Sequence, residues 1–264
     1  MSKKIHWKKV PAAIWRPKRG KLKAVSTLDP ITFSQLLGIE RQKQQFSQNL
    51  HAFLAGHRAN HTLLWGARGT GKSSLMKAAL NAFAPAGLRV VELEKEDIAD
   101  LPEISDLLRH EPWRFVIYCD DLAFAEGDQS YRYLKVIMEG SIEPPPENIL
   151  IVATSNQRHL LQQSLTDNRD TLQMNGDVHL GDRLQEKLSL ADRFGLSLSF
   201  YAPDQTHYLQ MVEALLKQYA ITLDTTERQA LEIQAIRFAT ARGSRSGRIA
   251  KQFIQHYMAQ CLAT

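Results

Sequence analysis

One stretch of eight residues limits the fold more than any other part of the sequence. Residues 66–73 read GARGTGKS and match the pattern Gly-x-x-x-x-Gly-Lys-Ser. The short apolar run HTLLW precedes this stretch, and the helical run LMKAALNAFA follows it. A loop of this kind between a strand and a helix presents backbone N–H groups and the positive end of the helix dipole to phosphate groups. The pattern therefore predicts a phosphate-binding P-loop.

The residues of this loop have separate predicted roles. Lys72 is expected to contact the β- and γ-phosphates of a nucleotide, and Ser73 is expected to bind magnesium. The predicted cofactors are therefore ATP and Mg²⁺. The complete set of predicted phosphate-binding residues is Gly66, Ala67, Arg68, Gly69, Thr70, Gly71, Lys72, Ser73 and Ser74.

Apolar strand-like runs alternate with helical runs after the P-loop. The runs HTLLW, RVVEL, FVIYC, NILIVATS and LSLSF predict five strands. Such alternation predicts a three-layer α/β fold, in which helices cover both faces of a parallel five-stranded sheet. Residues 171–180, TLQMNGDVHL, contain an Asn-Gly pair that predicts a β-hairpin insertion. Three helical segments after Pro203 predict a small helical domain, so we divide the chain into residues 1–25, 26–201 and 202–264.

The net charge of +5 is distributed unevenly along the chain. Nine basic residues and no acidic residue lie within positions 3–23, and all 28 acidic residues lie between positions 29 and 232. The basic N-terminal segment 1–25 is therefore a candidate binding segment for nucleic acid or another acidic partner. We favour a solvated, partly disordered tail, because only Trp7 and Trp15 interleave aromatic rings with these charges.

Composition excludes several other classes of protein. Hydrophobic residues occupy 44% of the 264 positions, which suffices for one good core. No continuous apolar run is typical of a membrane span or a secretory signal, so we expect a cytoplasmic protein without membrane contact. The two cysteines, Cys119 and Cys261, are too few for a disulfide scaffold and lack the spacing of metal ligands.

The run VIYCDDLAF, residues 116–124, ends a predicted buried strand with two adjacent aspartates. Near a P-loop, Asp120 can hold magnesium through a water, and Asp121 can orient and deprotonate the water that attacks the γ-phosphate. Capping of the next helix is an alternative role for one of the two. Asp121 is one methylene shorter than the glutamate that nucleotide-hydrolysing enzymes usually place here. Glu126, on the following loop, is a less favoured substitute.

The run ILIVATSN, residues 149–156, ends the fourth predicted strand in polar residues. An amide at this strand end can hydrogen-bond both the γ-phosphate and the attacking water. Asn156 is therefore the candidate sensor of the γ-phosphate, with Thr154 and Ser155 as polar neighbours.

In the order and combination of these motifs, the chain resembles the AAA+ ATPases. It most closely resembles a bacterial family of predicted AAA+ ATPases known as domain of unknown function 815. The segments that carry this resemblance are the CDDL strand, the ATSN strand followed by RHL, the segment EKLSLADRFGL and the SGR helix start. The resemblance implies that residues 202–264 form a helical lid domain. It also implies that Leu37, Gly38 and Ile39 pack against the adenine.

The resemblance further implies roles for three arginines. Arg193, in ADRFG, matches the arginine finger that reaches the γ-phosphate of a neighbouring subunit. A finger supplied by a neighbour implies a homo-oligomer, for which a hexameric ring is one form. Arg245 and Arg248 match the region of the sensor-2 arginine. We favour Arg248, because the residues after it continue as an amphipathic helix.

Three functions remain open from the sequence. The first is an oligomeric ATPase that couples hydrolysis to the remodelling or loading of a macromolecular partner, which the sequence does not name. The second is a slowly hydrolysing, nucleotide-gated binding module or nucleic-acid loader, which uses ATP as a clamp. The third is a P-loop kinase, which is disfavoured because the chain offers a finger-like arginine and a C-terminal helical domain instead of an acceptor pocket.

Overall fold

The computed structural model describes residues 5–124, 130–140, 142–157 and 190–261. The hairpin predicted at residues 171–180 and the residue Glu126 lie outside these ranges. Within the described residues, no helix has the length and apolar character that crossing a membrane requires.

The strands and helices of the described ranges have the following bounds. The strands are β1 (Ala12–Arg16), β2 (Lys21–Ala24), β3 (Thr62–Gly66), β4 (Leu88–Leu93), β5 (Arg114–Cys119), β6 (Ile149–Ser155) and β7 (Leu196–Phe200). The helices used below are α1 (Glu40–Leu54), α2 (Lys72–Phe83), α3 (Leu101–Leu108), α4 (Tyr131–Glu139), α5 (Gln205–Gln218), α6 (Thr225–Ala241) and α7 (Gly247–Cys261).

These strands form one sheet in the order β2-β1-β4-β5-β6-β3-β7. All neighbouring strands are parallel except β2, which runs antiparallel to β1. The apolar core on one face includes Phe46 of α1 and Leu75 of α2, and the core on the other face includes Ile104 of α3 and Leu134 of α4. The predicted three-layer α/β fold is therefore confirmed. The P-loop strand β3 lies between β6 and β7, and the loop after it opens at the carboxyl edge of the sheet.

The sheet has seven strands, whereas we predicted five. The predicted strands are β3 to β7, and the two additional strands, β1 and β2, come from the basic segment 1–25. The favoured interpretation of this segment as a solvated tail is therefore wrong for residues 12–24. The two strands are short, and the lysines and arginines between and around them give the segment the composition of a tail, although lysine is common on the edge strands of sheets. Pairing of β1 with β4, which is distant in sequence, leaves no local signal.

Buried side chains hold β1 and the residues before it on the sheet. Arg89 is only 5% exposed, and its Nε donates to Trp7 O at 2.6 Å. Trp7 packs edge-on against Phe115, with ring centroids 4.9 Å apart. Trp15 donates from Nε1 to Asp100 Oδ2 at 2.7 Å. Both indole rings are therefore part of the fold and are not available as exposed aromatic surface.

Helices α5, α6 and α7 share a third apolar core, which contains Tyr208, Leu231 and Phe253. Asp204 and Asp224 directly precede α5 and α6 and cap them, because their carboxylates accept hydrogen bonds from backbone N–H groups of the first turn. The three helices predicted for this part of the chain are present. Their role as a lid remains a prediction.

The residue before β3, His61, gives the fold a predictable pH dependence. Ile151 N donates to His61 Nδ1 at 3.0 Å, so this nitrogen carries no proton in the folded chain. Burial lowers the pKa of His61 to about 4, whereas unfolded histidine has a pKa of about 6.5. Between these values the unfolded chain binds more protons than the folded chain. The free energy of unfolding is therefore expected to fall as the pH drops from about 6.5 towards 4.

Urea unfolding of the wild-type chain at a series of pH values measures this effect. Replacing His61 by glutamine should flatten the pH dependence between about pH 6.5 and 4.5. The matched control is His57→Gln, because His57 is exposed and its replacement should leave the slope unchanged. An unchanged slope in the His61 variant would contradict the assignment.

Candidate active site

The P-loop follows β3 and leads directly into α2. A side chain at Gly66 (φ +135°) would place its Cβ 1.9 Å from Phe200 O of β7. Only glycine therefore fits where the end of β3 meets β7. Gly69 (φ +76°) and Gly71 (φ +102°) also adopt the left-handed backbone that favours glycine. These glycines allow the tight turn between the strand and the first turn of α2.

Several backbone N–H groups of the loop find no partner within the described part of the chain. The amides of Arg68, Gly69, Thr70 and Gly71 donate to no group among the residues that the structure describes. Successive unpaired N–H groups at the start of a helix form a concave site for anions. The loop therefore fits the phosphates of a nucleotide.

Lys72 is the first residue of α2, and it is only 7% exposed. Its Nζ donates to two carbonyl oxygens of the P-loop at 2.8 Å and to Asn156 Oδ1 at 3.3 Å. Burial lowers the pKa of Lys72, although the charges of Asp121 and Asp120 act in the opposite direction. The ammonium group is thus held mainly by neutral oxygens, which leaves its charge available for a phosphate group.

Asp120 follows β5 and accepts three side-chain hydrogen bonds at Oδ1. The donors are Ser73 Oγ at 2.8 Å, Tyr118 OH at 2.7 Å and Thr154 Oγ1 at 2.5 Å. Burial on its own would raise the pKa of Asp120, but these hydrogen bonds outweigh burial and lower that pKa. An ionised carboxylate beside a serine hydroxyl supplies the oxygen ligands that Mg²⁺ prefers. Ser73 and Asp120 therefore fit a magnesium ion.

Asp121 has an unusual backbone conformation, with φ at +51°. Aspartate tolerates the left-handed region better than most residues, but such a conformation persists only where the surroundings enforce it. Asp121 N donates to Thr154 Oγ1 at 2.8 Å, and Asn156 Nδ2 donates to Asp121 Oδ1 at 2.5 Å. The end of β6 therefore fixes the orientation of Asp121. Asn156 also joins this carboxylate to Lys72.

Two polar residues near Asp120 escaped the sequence prediction. Burial raises the pKa of Tyr118, so its hydroxyl remains a protonated donor to Asp120. Glu92 of β4 is the cross-strand partner of Tyr118 of β5. Burial is the largest cause that raises the pKa of Glu92, and the charge of Asp120 raises it further. The spacing of Tyr118 and Asp120 could have indicated the first contact, because residues two apart in an extended chain lie on the same face. The sequence contains no comparable signal for Glu92.

The segment predicted to contact adenine lies between the P-loop and α5. Ile39 is buried, and its Cδ1 lies 3.5 Å from the position that a Cβ on Gly71 would occupy. A Cβ on Gly38 would lie 3.7 Å from His207 Cδ2 of α5. Leu37 precedes these residues and is half-buried. The structure thus brings the predicted segment beside the predicted phosphate site.

Of the two candidate sensor-2 arginines, Arg248 lies next to the P-loop. A Cβ on Gly69 would lie 3.4 Å from Arg248 Cβ and 2.8 Å from Ser246 Oγ. Burial is the largest cause that lowers the pKa of Lys72, and the charge of Arg248 also acts to lower it. Within the described residues, no contact of this kind connects Arg245 to the loop.

Arg193 lies far from the P-loop along the sheet. It precedes β7, which places it towards the amino edge of the sheet, whereas the P-loop opens at the carboxyl edge. Its Nε donates to Glu139 Oε1, at the end of α4, at 2.5 Å. Arg193 therefore does not complete the site of its own chain.

The sheet order, the glycine turn between β3 and α2, and the acidic pair after β5 together define a P-loop α/β fold of the AAA+ type. The chain belongs to the family described as "Protein of unknown function (DUF815)", which it matches over residues 8–261. A comparison with curated proteins finds no match.

Solved structures share this fold at low sequence identity. AMPPCP-bound DnaA from Aquifex aeolicus is 17% identical with a TM-score of 0.51, and the match covers 90% of this chain and 73% of that one. The replication initiator DnaA bound to AMPPCP and single-stranded DNA is 16% identical with a TM-score of 0.52, covering 87% and 65%. A variant of RuvB from Thermotoga maritima is 14% identical with a TM-score of 0.50, covering 86% and 72%.

Proposed function

We propose that the chain is an AAA+ ATPase that binds Mg-ATP at the P-loop and hydrolyses it in a homo-oligomer. The observation that carries this proposal is one hydrogen-bonded network at the carboxyl edge of the sheet. Asn156 contacts both Lys72 and Asp121, and beside it Ser73 contacts Asp120. The candidate phosphate-binding cation, the candidate base and the candidate magnesium ligands thus lie together.

ATP binding is assigned to three parts of the chain. The unpaired N–H groups of the P-loop and Lys72 bind the phosphates, Ser73 and Asp120 hold Mg²⁺, and residues 37–39 contact the adenine. When bound, Mg²⁺ neutralises charge on the β- and γ-phosphate oxygens. Arg248, which lies beside Gly69 of the P-loop at the start of α7, serves as the sensor-2 arginine in preference to Arg245. The C-terminal helices act as the lid that presents it.

Hydrolysis is assigned to Asp121 and Asn156. Asn156 occupies Asp121 Oδ1, which leaves Oδ2 to accept a proton from the attacking water. The left-handed backbone of Asp121 and its two bonds to the end of β6 orient this short side chain. A fixed orientation compensates in part for the shorter reach of Asp121 compared with a glutamate.

The arginine finger is assigned to Arg193, acting on the site of a neighbouring subunit. Its place towards the opposite edge of the sheet supports this assignment, because it cannot serve the P-loop of its own chain. A guanidinium can neutralise the charge that develops on the transferring phosphoryl group. The proposed assembly is therefore a homo-oligomer, with a hexameric ring as one form, that remodels or loads a macromolecular partner.

A second function, a nucleotide-gated binding module or nucleic-acid loader that hydrolyses slowly, is favoured by one observation. Asp121 is one methylene shorter than glutamate, and a displacement of about 1 Å in a catalytic group can cost roughly a hundredfold in rate. DnaA, which shares the fold, has been captured with AMPPCP and single-stranded DNA.

Replacing Asp121 by asparagine separates binding from hydrolysis. The variant should bind ATP as the wild type does, because the amide keeps the shape of the side chain, but phosphate release should fall about a hundredfold because the base is lost. Asp106→Asn, an exposed position on α3, is the matched control and should retain activity. Equal phosphate release by the Asp121 variant and the wild type would contradict the assignment of the base. Tight ATP binding without phosphate release by the wild type would favour the second function.

A further inference from the structure

The end of β1, the turn after it and most of β2 form a basic surface, which we call the basic hairpin (residues 16–23). Its five cations are Arg16, Lys18, Arg19, Lys21 and Lys23. Lys18, Arg19 and Lys23 are exposed, and the other two are half-buried. Within the described residues, none of the five lies within ion-pair distance of a carboxylate. Among the residues that the structure describes, no direct contact therefore neutralises the charge of the hairpin.

The pairing within the hairpin places like charges opposite each other. Arg16 is the cross-strand partner of Lys21. Like charges at directly opposite positions destabilise a two-stranded pair. Keeping these two cations opposite each other therefore lowers the stability of the fold. Such a cost is expected where the charges form a binding surface for an anionic partner.

The hairpin is also rigidly placed. Strand β1 pairs with β4, and Trp7 and Trp15 anchor it through their contacts with Arg89 and Asp100. Because β1 is parallel to β4, the turn after Arg16 projects from the same edge of the sheet as the P-loop. The charges are therefore presented in a fixed array instead of on a loose tail.

Of the described acidic residues near this edge, none forms an ion pair with the hairpin. Glu92 of β4 interacts electrostatically with Arg16, and Glu94, Glu96 and Asp97 follow β4, but β1 separates β4 from β2. Two strand spacings amount to about 10 Å, which is close to the Debye length at 0.1 M salt. The outer cations on the turn and β2 are therefore largely screened from these acids at physiological ionic strength.

We infer that the basic hairpin binds the phosphate backbone of double-stranded nucleic acid without reading its sequence. The hairpin supplies cations only, because Trp7 and Trp15, the aromatic rings of this segment, are 4% and 5% exposed and cannot stack on bases. A duplex concentrates one charge per about 1.7 Å of its axis, which favours it over a single strand for a partner that lacks stacking rings. This inference deepens the proposed function by naming the partner.

Fluorescence anisotropy of the full-length chain with a labelled 30-base-pair DNA of arbitrary sequence tests the inference, without nucleotide and over a range of salt concentrations. The test variant replaces Lys18, Arg19 and Lys23 by glutamine together. Losing three phosphate contacts should reduce the slope of log affinity against log salt by about 2.7 and weaken binding on the order of a hundredfold at 0.1 M salt. The single change Lys18→Gln should reduce the slope by about 0.9.

The matched control removes three exposed cations elsewhere, with Arg58→Gln, Arg237→Gln and Lys251→Gln combined. This control should keep nearly all of the wild-type affinity. Equal losses in both triple variants would overturn the inference, because net charge alone would then explain binding. It would also be overturned if single-stranded DNA of equal length bound more tightly than the duplex. Hairpin-dependent binding to vesicles with anionic phospholipids, or hairpin-dependent self-association, in the absence of DNA binding would overturn it as well.

The outcome is separable from that of the proposed function. Duplex binding that depends on the hairpin in a chain without ATPase activity contradicts only the proposed function. ATPase activity in a chain that does not bind duplex contradicts only the inference about the hairpin.

Discussion

Replacement of Lys72 by alanine is expected to abolish ATP binding at micromolar nucleotide concentrations. The ammonium group is nearly buried, and P-loop carbonyl oxygens and Asn156 hold it beside the unpaired N–H groups of the loop. Charge-assisted hydrogen bonds contribute about 1.5 to 3 kcal/mol each. Loss of the contacts to two phosphates should therefore weaken ATP binding by at least roughly a hundredfold. Titration calorimetry with Mg-ATP measures the affinity.

Lys77→Ala is the matched control for this change. Lys77 lies on the same helix, but it is 53% exposed and pairs with Asp29 at 3.1 Å. Its replacement should leave ATP affinity unchanged, because a surface ion pair contributes little. Wild-type affinity in the Lys72 variant would contradict the assignment of the phosphate site.

Replacement of Arg193 by alanine should lower turnover about a thousandfold while ATP affinity stays near that of the wild type. In the proposed assignment, Arg193 acts in the transition state on the site of the neighbouring subunit and does not bind the nucleotide of its own chain. Phosphate release at saturating ATP, measured together with nucleotide affinity, separates the two effects. Arg109→Ala is the matched control, since Arg109 also pairs with a carboxylate, Glu143, at 3.0 Å.

Mixing two inactive variants tests whether the finger acts between subunits. Arg193→Ala chains have an intact site without a finger, whereas Asp121→Asn chains supply a finger but lack the base. Mixed oligomers should recover part of the wild-type turnover at interfaces where an intact finger meets an intact site. Absence of recovery in mixed oligomers would contradict a finger that acts in trans.

Much of the fold could be predicted because the motifs that determine it are local in sequence. The P-loop pattern specifies a strand, a tight glycine turn and a helix, and alternation of apolar runs predicts the five parallel strands that follow. Asp120 and Asn156 were predicted from their places at strand ends, since the carboxyl ends of parallel strands meet at one edge. The structure brings these two residues to Ser73 and Lys72 respectively.

The remainder depends on contacts between segments that are distant in sequence. Strand β1 is short and forms by pairing with β4, and without that pairing the basic residues around it give the segment the composition of a tail. The contact of Tyr118 with Asp120 depends on the orientation of a ring within the sheet. The left-handed conformation of Asp121 is held by hydrogen bonds to Thr154 of β6 and to Asn156, which follows β6, and no pattern within the CDDL segment encodes these bonds.

We propose that Asp121, in the orientation held by its hydrogen bonds, is the base that makes bound ATP hydrolyse. Single-turnover measurement with excess chain and trace ATP, at rising chain concentration, tests this claim most directly. We expect nearly complete conversion of bound ATP to ADP and phosphate, at a rate that increases with chain concentration as Arg193 of one subunit reaches the site of the next. Bound ATP that stays intact at every chain concentration would contradict the claim.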